Sequence, residues 1–132
     1  MTSAINPAQA YYDRQYNARA SVQDAAALIA RYTHESQAAD GLSGAIKNVA
    51  YSARNTDVLD IYLPQTKQNP PQGAPVFIFI HGGYWRALSK NDSAFMAPAL
   101  TQAGALVVVP EYDLAPAVTL DHIVDQMRQM FA

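Results

Sequence analysis

The pattern of hydrophobic and polar positions changes character once along the chain, near residue 75. Apolar residues recur at helical spacing over residues 22–38, which predicts an amphipathic helix with Ser21 as its N-cap and Asp24 completing a capping box. Apolar and polar residues then alternate over residues 45–52 and 57–63. Alternation is typical of half-buried antiparallel strands, so these two stretches predict a strand pair.

Beyond residue 75 the strand-like stretches become apolar on both faces. Val76–Ile80 predicts a central parallel strand covered by helices on each side, and Ala105–Val109 predicts a second buried strand. Between them a helical region runs from about Ser89 to Gly104, where Pro98 implies a kink or two short helices. Thr119 is the expected cap of a last helix with one apolar stripe, formed by Leu120, Ile123, Val124, Met127 and Phe131.

These elements predict an α/β fold, in which an antiparallel strand pair leads into a parallel sheet flanked by helices. We expect one partial domain over residues 1–132. An N-terminal arm and helix occupy residues 1–40, the strand pair residues 45–63, and a β-α-β-α unit residues 76–131.

Composition narrows the class of protein. The net charge of −2 and the scattered lysines and arginines give no support for nucleic acid binding. The absence of cysteine excludes disulfides and thiolate metal sites, and no metal or organic cofactor is expected. The N-terminus lacks the pattern of a secretory signal, and the longest apolar runs are only strand-sized. We therefore expect a soluble, cytoplasmic globular protein with no membrane association.

The chemistry-bearing motif is His81-Gly82-Gly83-Tyr84-Trp85, at the C-terminal end of the most apolar predicted strand. Ligands bind at this edge of open α/β sheets. Paired glycines let the backbone turn sharply and present unpaired N–H groups. Such donors stabilise the oxyanion that forms during acyl transfer, and an HGG loop after the third strand has this role in lipases and esterases.

The sequence resembles the kynurenine formamidase-like branch of the α/β-hydrolases. The resemblance rests on the HGGYW motif, on Glu111-Tyr112-Asp113-Leu114-Ala115-Pro116, on Tyr16–Arg19, on the phase of the strand pair, and on Val118–Leu120 at the entry to the last helix. It therefore extends over essentially the whole chain and implies the N-terminal part of an α/β-hydrolase fold.

The resemblance implies a serine hydrolase that acts on N-formyl-L-kynurenine or a similar aryl formamide or ester. Gly83 and Tyr84 are then the expected oxyanion donors through their backbone N–H groups, and Gly82 and His81 shape the loop. Tyr84 and Trp85 are candidates to line an aromatic substrate pocket, although Trp85 could equally pack in the core.

Other residues have simpler interpretations. His81 is an improbable general base, because the base comes last in the chain order of this fold. Asp113 precedes the expected nucleophile position, which favours a structural hydrogen-bonding role over that of triad acid. His34 and His122 are expected on the solvated surface.

The G-x-S-x-G nucleophile elbow is missing from the 132 residues. Only Ser43 comes near the pattern, and a helix before it and a strand after it argue against it. We expect the chain to supply the oxyanion half of the enzyme and to be inactive alone. Without the neighbouring nucleophile strand, Val76–Ile80 would be an exposed apolar edge. The rest of the reading frame, a complementary chain or a second copy in a homodimer would complete it.

Two alternatives remain open. One is a general carboxylesterase of the same fold, which this part of the sequence does not separate from a formamidase. The other is a catalytically inactive, hydrolase-like interaction module, for which the missing triad is the only support.

Overall fold

A computed structural model describes residues 6–66 and 73–132. The chain falls into two compact units, of which the first ends at Arg31 and the second begins at Tyr32. The prediction of a single domain stays a prediction.

The first unit contains helix α1 (Pro7–Gln15), a short 3-10 turn (Ala18–Ser21) and the start of helix α2 (Ala25–Ala39). Ser21 does not cap α2 as predicted. Its hydroxyl donates to the carbonyl of Ala18 at 2.7 Å and so completes the 3-10 turn, and α2 begins only at Ala25.

The second unit is built on a four-stranded sheet in the order β1-β2-β4-β3. The strands are β1 (Ala45–Ala50), β2 (Val58–Tyr62), β3 (Val76–Ile78) and β4 (Leu106–Pro110). The first two strands pair antiparallel, as predicted, while β3 and β4 run parallel. A mixed sheet flanked by helices confirms the predicted α/β class. Its core combines the sheet with helical residues, and the buried members are Ala39, Tyr62, Ala94, Ala97, Val107 and Val109.

Strand β3 lies at the edge of the sheet, not at its centre. Val76 is 60% exposed and Phe77 41% exposed, so the prediction of a central strand covered on both faces is wrong for the described residues. The conditional prediction of an exposed apolar edge is confirmed. The apolar residues predicted on both faces of this strand therefore form an apolar surface that the rest of the described chain leaves uncovered.

The predicted helical region between Ser89 and Gly104 consists of two short helices, as Pro98 implied. A 3-10 turn spans Lys90–Asp92, and helix α3 spans Ala97–Gln102 with Pro98 in its first turn, where a proline costs no hydrogen bond. Helix α4 (Leu120–Met130) begins as predicted, since the Thr119 side chain accepts a hydrogen bond from the His122 amide.

A buried ionic cluster joins the sheet to the turn at Lys90. Asp60 on β2 is fully buried, and both its oxygens accept hydrogen bonds from the Lys90 ammonium, at 2.8 and 2.9 Å. Lys47 contacts the same carboxylate at 2.6 Å. Burial alone would raise the pKa of Asp60, but the hydrogen bonds from Lys47 and Lys90 outweigh it and hold that pKa below its ordinary value.

None of the helices in residues 6–66 and 73–132 has the length and apolar character that crossing a membrane requires.

Candidate active site

The loop that follows β3 is a tight turn under backbone strain. The Gly83 carbonyl accepts a hydrogen bond from the Arg86 amide at 3.0 Å. Between them, Tyr84 and Trp85 both have positive φ, 55° and 59°. Positive φ at both central residues is typical of a type I′ turn. Residues other than glycine pay about 1–2 kcal/mol each for this conformation, so surrounding contacts must hold the loop in place.

Those contacts act on the carbonyl groups of the loop. The Gly82 oxygen lies 2.9 Å from Nδ1 of His81, and the Trp85 oxygen accepts a hydrogen bond from the Ala115 amide at 2.7 Å. With the Gly83 carbonyl engaged inside the turn, three carbonyls of the loop have partners within the protein.

The N–H groups of the loop are left available. Within the described ranges, no protein acceptor receives a hydrogen bond from the amide of Gly83 or Tyr84. Gly82 is exposed, Gly83 is partly exposed, and Tyr84 is 63% exposed. A loop whose carbonyls at Gly82, Gly83 and Trp85 are bound and whose amides at Gly83 and Tyr84 have no protein acceptor among the described residues can donate hydrogen bonds to an anionic oxygen.

The two glycines differ in their surroundings. Gly83 has φ +116°, and a Cβ added there would lie 2.1 Å from the carbonyl oxygen of Ala87. A Cβ added at Gly82 would meet nothing within 4 Å. The backbone therefore requires glycine at position 83, while the open space lies beside Gly82.

His81 lies beneath the loop, with 1% of its surface exposed. Its Nε2 is 3.2 Å from Oε1 of Glu111, and its ring stacks on Tyr112 at 4.0 Å between centroids. The Tyr112 hydroxyl donates to the His81 carbonyl at 2.7 Å. Burial, followed by the nearby charge of Glu111, raises the pKa of this tyrosine. Because both ring nitrogens of His81 face oxygens of the protein, the geometry favours a role in loop shape over that of general base.

An apolar groove of about 560 Å³ lies between the loop and α4. Trp85 lines it and is 48% exposed, which places this side chain in the groove and not in the core. Tyr84 does not belong to the lining. Most of the predicted apolar stripe of α4 faces this groove, whose other lining residues are Ile80, His81, Gly82, Tyr112, Ile123, Val124, Met127, Arg128 and Phe131.

An ionic cluster beside the groove was not foreseen from the sequence. Asp113 bonds the Arg54 guanidinium, and His122 Nε2 lies 3.1 Å from the same carboxylate and 2.7 Å from Arg54. The structural role expected for Asp113 agrees with these contacts, whereas His122 is paired and not simply solvated. Since Arg54 and His122 lie 68 positions apart, no local pattern could have indicated their contact.

The remaining candidates lie outside this arrangement. The hydroxyl of Ser43 donates to Gln65 at 3.0 Å, and His34 is exposed on α2. No group of three or more potential metal ligands occurs among the described residues.

A sequence model of the BD-FAE family matches residues 59–131, more than half of the chain. The matched region contains most of β2, the loop of residues 81–86 after β3 (called the oxyanion-type loop after its predicted role) and α4. This chain belongs to the BD-FAE family of α/β-hydrolases. The expectation of an α/β-hydrolase is thereby confirmed.

Curated relatives of this BD-FAE chain are kynurenine formamidases. The protein of Salmo salar is 41% identical over 91 residues, which are 69% of this chain and 30% of that protein. The protein of Danio rerio is 32% identical over 120 residues, which are 90% of this chain and 40% of that protein. The BD-FAE chain thus matches well under half the length of these relatives.

Solved structures agree with this assignment. A protein of Silicibacter sp. TM1040, assigned as a thioesterase, superposes with a TM-score of 0.77 at 29% identity over 89% of this chain and 44% of that one. Esterase B of Lactobacillus rhamnosis, solved with a tributyrin phosphonate inhibitor, gives 0.62 at 25% identity over 85% of this chain and 37% of that one.

Proposed function

We propose that this chain supplies the oxyanion-stabilising part of a serine hydrolase that cleaves an aryl formamide or a related ester. The observation that carries the proposal is the loop after β3, in which the carbonyls are engaged and the amides of Gly83 and Tyr84 are free. The kynurenine formamidases among its relatives support the formamide as substrate.

The chemistry follows from charge development. When a serine attacks a formyl or acyl carbonyl, the carbonyl oxygen becomes negative in the tetrahedral intermediate. The amides of Gly83 and Tyr84 would donate to this oxygen, and each such donor typically lowers the barrier by about 3–4 kcal/mol. An acyl-enzyme then forms, and water hydrolyses it.

In this proposal the nucleophile, the acid and the base come from sequence outside these residues. No serine of the chain has the G-x-S-x-G context, and the Ser43 hydroxyl contacts an amide oxygen, not a histidine. The exposed edge of β3 and the apolar groove beside the loop are where such a complement would pack, whether it is a continuation of the frame, a separate chain or a second copy.

A carboxylesterase is the second candidate, and one observation favours it. The likeness to esterase B of Lactobacillus rhamnosis, solved with a tributyrin phosphonate inhibitor, favours an aliphatic acyl group. The groove itself would accept either class of substrate, because it is lined by aromatic side chains (Trp85, Tyr112 and Phe131) as well as aliphatic ones.

Two measurements test the proposal. Intact-mass spectrometry of the chain after treatment with a fluorophosphonate, which modifies activated serines, should return the unmodified 14.4 kDa species. A stoichiometric adduct would place the nucleophile within these residues and overturn the assignment, with Ser43 the first site to map.

The second measurement extends the chain with the coding sequence that follows Ala132 in the same frame. The extended protein should hydrolyse N-formylkynurenine, and Gly83→Ala should reduce kcat/KM by at least about 100-fold. Faster hydrolysis of p-nitrophenyl butyrate than of the formamide would favour the carboxylesterase. A protein inert to both substrates and to fluorophosphonate would support an interaction module instead.

A further inference from the structure

Glu111 follows β4 directly and lies against the ring of His81. Its Oε1 is 3.2 Å from Nε2 of that ring, and its backbone carbonyl accepts a hydrogen bond from the Tyr51 hydroxyl at 2.7 Å. The carboxylate also lies 3.4 Å from the backbone amides of Tyr112 and Lys90. Glu111 is therefore fixed at its backbone and directed towards the oxyanion-type loop.

The hydrogen bonds of His81 require two protons. Nδ1 faces the carbonyl oxygen of Gly82 at 2.9 Å, and a carbonyl oxygen only accepts. Nε2 faces a carboxylate, which also only accepts when ionised. A neutral ring has one N–H, so beside an ionised Glu111 it would leave two lone pairs facing each other at one of the two contacts. Both contacts are satisfied when the ring carries two protons beside an ionised Glu111.

The contact at Nδ1 sets the direction of a neighbouring amide. The carbonyl of Gly82 and the N–H of Gly83 belong to one trans peptide group, in which they point in opposite directions. When the His81 ring binds the carbonyl, it turns the N–H of Gly83 away from the ring, towards the open side of the loop.

We propose that Glu111 is a positioning residue which, by holding His81 with a proton on both ring nitrogens, fixes the direction of the Gly83 N–H. The inference rests on the proposed function in one respect, namely that this N–H is an oxyanion donor. The carboxylate would not contact the substrate. It would act through the His81 ring and the peptide group between Gly82 and Gly83.

The test reads the ring directly by NMR. The chain labelled with ¹⁵N in its three histidines gives separate ring signals, and the variants His34→Gln and His122→Gln identify those of His81 by elimination. A long-range ¹H–¹⁵N correlation at neutral pH then distinguishes a ring with two protons from either neutral tautomer. The Gly83 amide is followed in a uniformly labelled sample.

In the unsubstituted chain we expect two protons on the His81 ring. Glu111→Gln should remove one proton and leave the other at Nδ1, because the new amide can donate to Nε2, and the Gly83 amide should stay near its original position. Glu111→Leu should give a mixture of neutral tautomers and should shift or broaden the Gly83 amide. Asp121→Asn, which removes one exposed carboxylate from α4, is the control and should change neither signal.

A merely structural role for Glu111 would lower stability without changing the ring. A singly protonated ring in the unsubstituted chain would overturn the proposal, as would an unchanged ring in Glu111→Gln. If Glu111→Leu does not fold, the state of the ring in Glu111→Gln decides alone. None of these readouts uses catalysis, so a ring that follows Glu111, together with an extended protein that lacks hydrolase activity, would refute the proposed function and leave this inference standing.

Discussion

Replacing Gly83 by alanine tests the geometry of the oxyanion-type loop most directly. At φ +116° a residue with a Cβ is strained by about 1–3 kcal/mol. The added Cβ would also lie 2.1 Å from the Ala87 carbonyl oxygen, a backbone atom that moves only if the turn moves. Overpacking of this kind costs about 1–3 kcal/mol, so Gly83→Ala should lower the free energy of unfolding by about 2–6 kcal/mol.

Gly82→Ala is the matched control in the adjacent position. A Cβ there meets nothing within 4 Å, and the φ of Gly82 is not positive. Alanine in a compatible conformation restricts the unfolded chain and typically stabilises a protein by about 0.4–1 kcal/mol. The two variants add the same methyl group one residue apart and should change stability in opposite directions.

Urea titration measures the difference, with far-UV circular dichroism for the whole chain and the fluorescence of Trp85 for the loop. Trp85 is the only tryptophan in the sequence, so its emission reports the loop without interference. With a slope of about 2 kcal/mol per molar urea, the two midpoints should differ by about 1–3 M. Two midpoints that coincide within the error of repeated titrations would refute the loop geometry.

Three further changes test the contacts that support the site. Asp60→Asn should destabilise the chain by about 3–5 kcal/mol in urea titration, because it leaves the buried ammonium of Lys90 without its charge partner. The pKa values of Asp60 and Asp57 are lowered in the folded state, so the stability that these carboxylates contribute is complete above the ordinary value of 3.8 and should be lost as the pH falls below it. Acid titration followed by circular dichroism measures this loss, and Asp60→Asn should weaken the dependence of stability on pH. Gln126→Leu should cost about 1–3 kcal/mol, since it removes the amide that donates to Asp57 at 2.8 Å, whereas Gln129→Leu on the exposed face of α4 should change little.

The sequence predicted those parts of the fold that rest on local patterns. The antiparallel pairing of β1 with β2, the Thr119 cap and the break in the helical region before Pro98 each follow from a few adjacent residues. The Ser21 cap failed because two hydrogen-bonded turns competed for one hydroxyl, and sequence alone does not say which forms.

The candidate site was predictable as a motif but not as a geometry. The two adjacent glycines indicated a sharp turn. The residues of the turn that have positive φ are Gly83, Tyr84 and Trp85, whereas Gly82 does not. The partners Glu111 and Ala115 come from about 30 residues further along the chain, so only folding brings them to the loop. The same holds for Asp60, which is buried and paired with Lys47 and Lys90. An alternation pattern alone does not distinguish such a buried aspartate from one at a solvated strand position.

The hydrogen bonds that hold the loop after β3 explain why backbone strain and free amide donors occur in the same residues. A hydrogen-bonded carbonyl at Gly82 or Gly83 turns the following amide away from that bond, so the contacts that hold the strained loop also leave the N–H groups of Gly83 and Tyr84 as free donors. Glycine is required only at position 83, where the Ala87 carbonyl leaves no room for a Cβ. At position 82 the absent side chain instead leaves open space beside the donors, and in the proposed function a substrate carbonyl would approach them through this space.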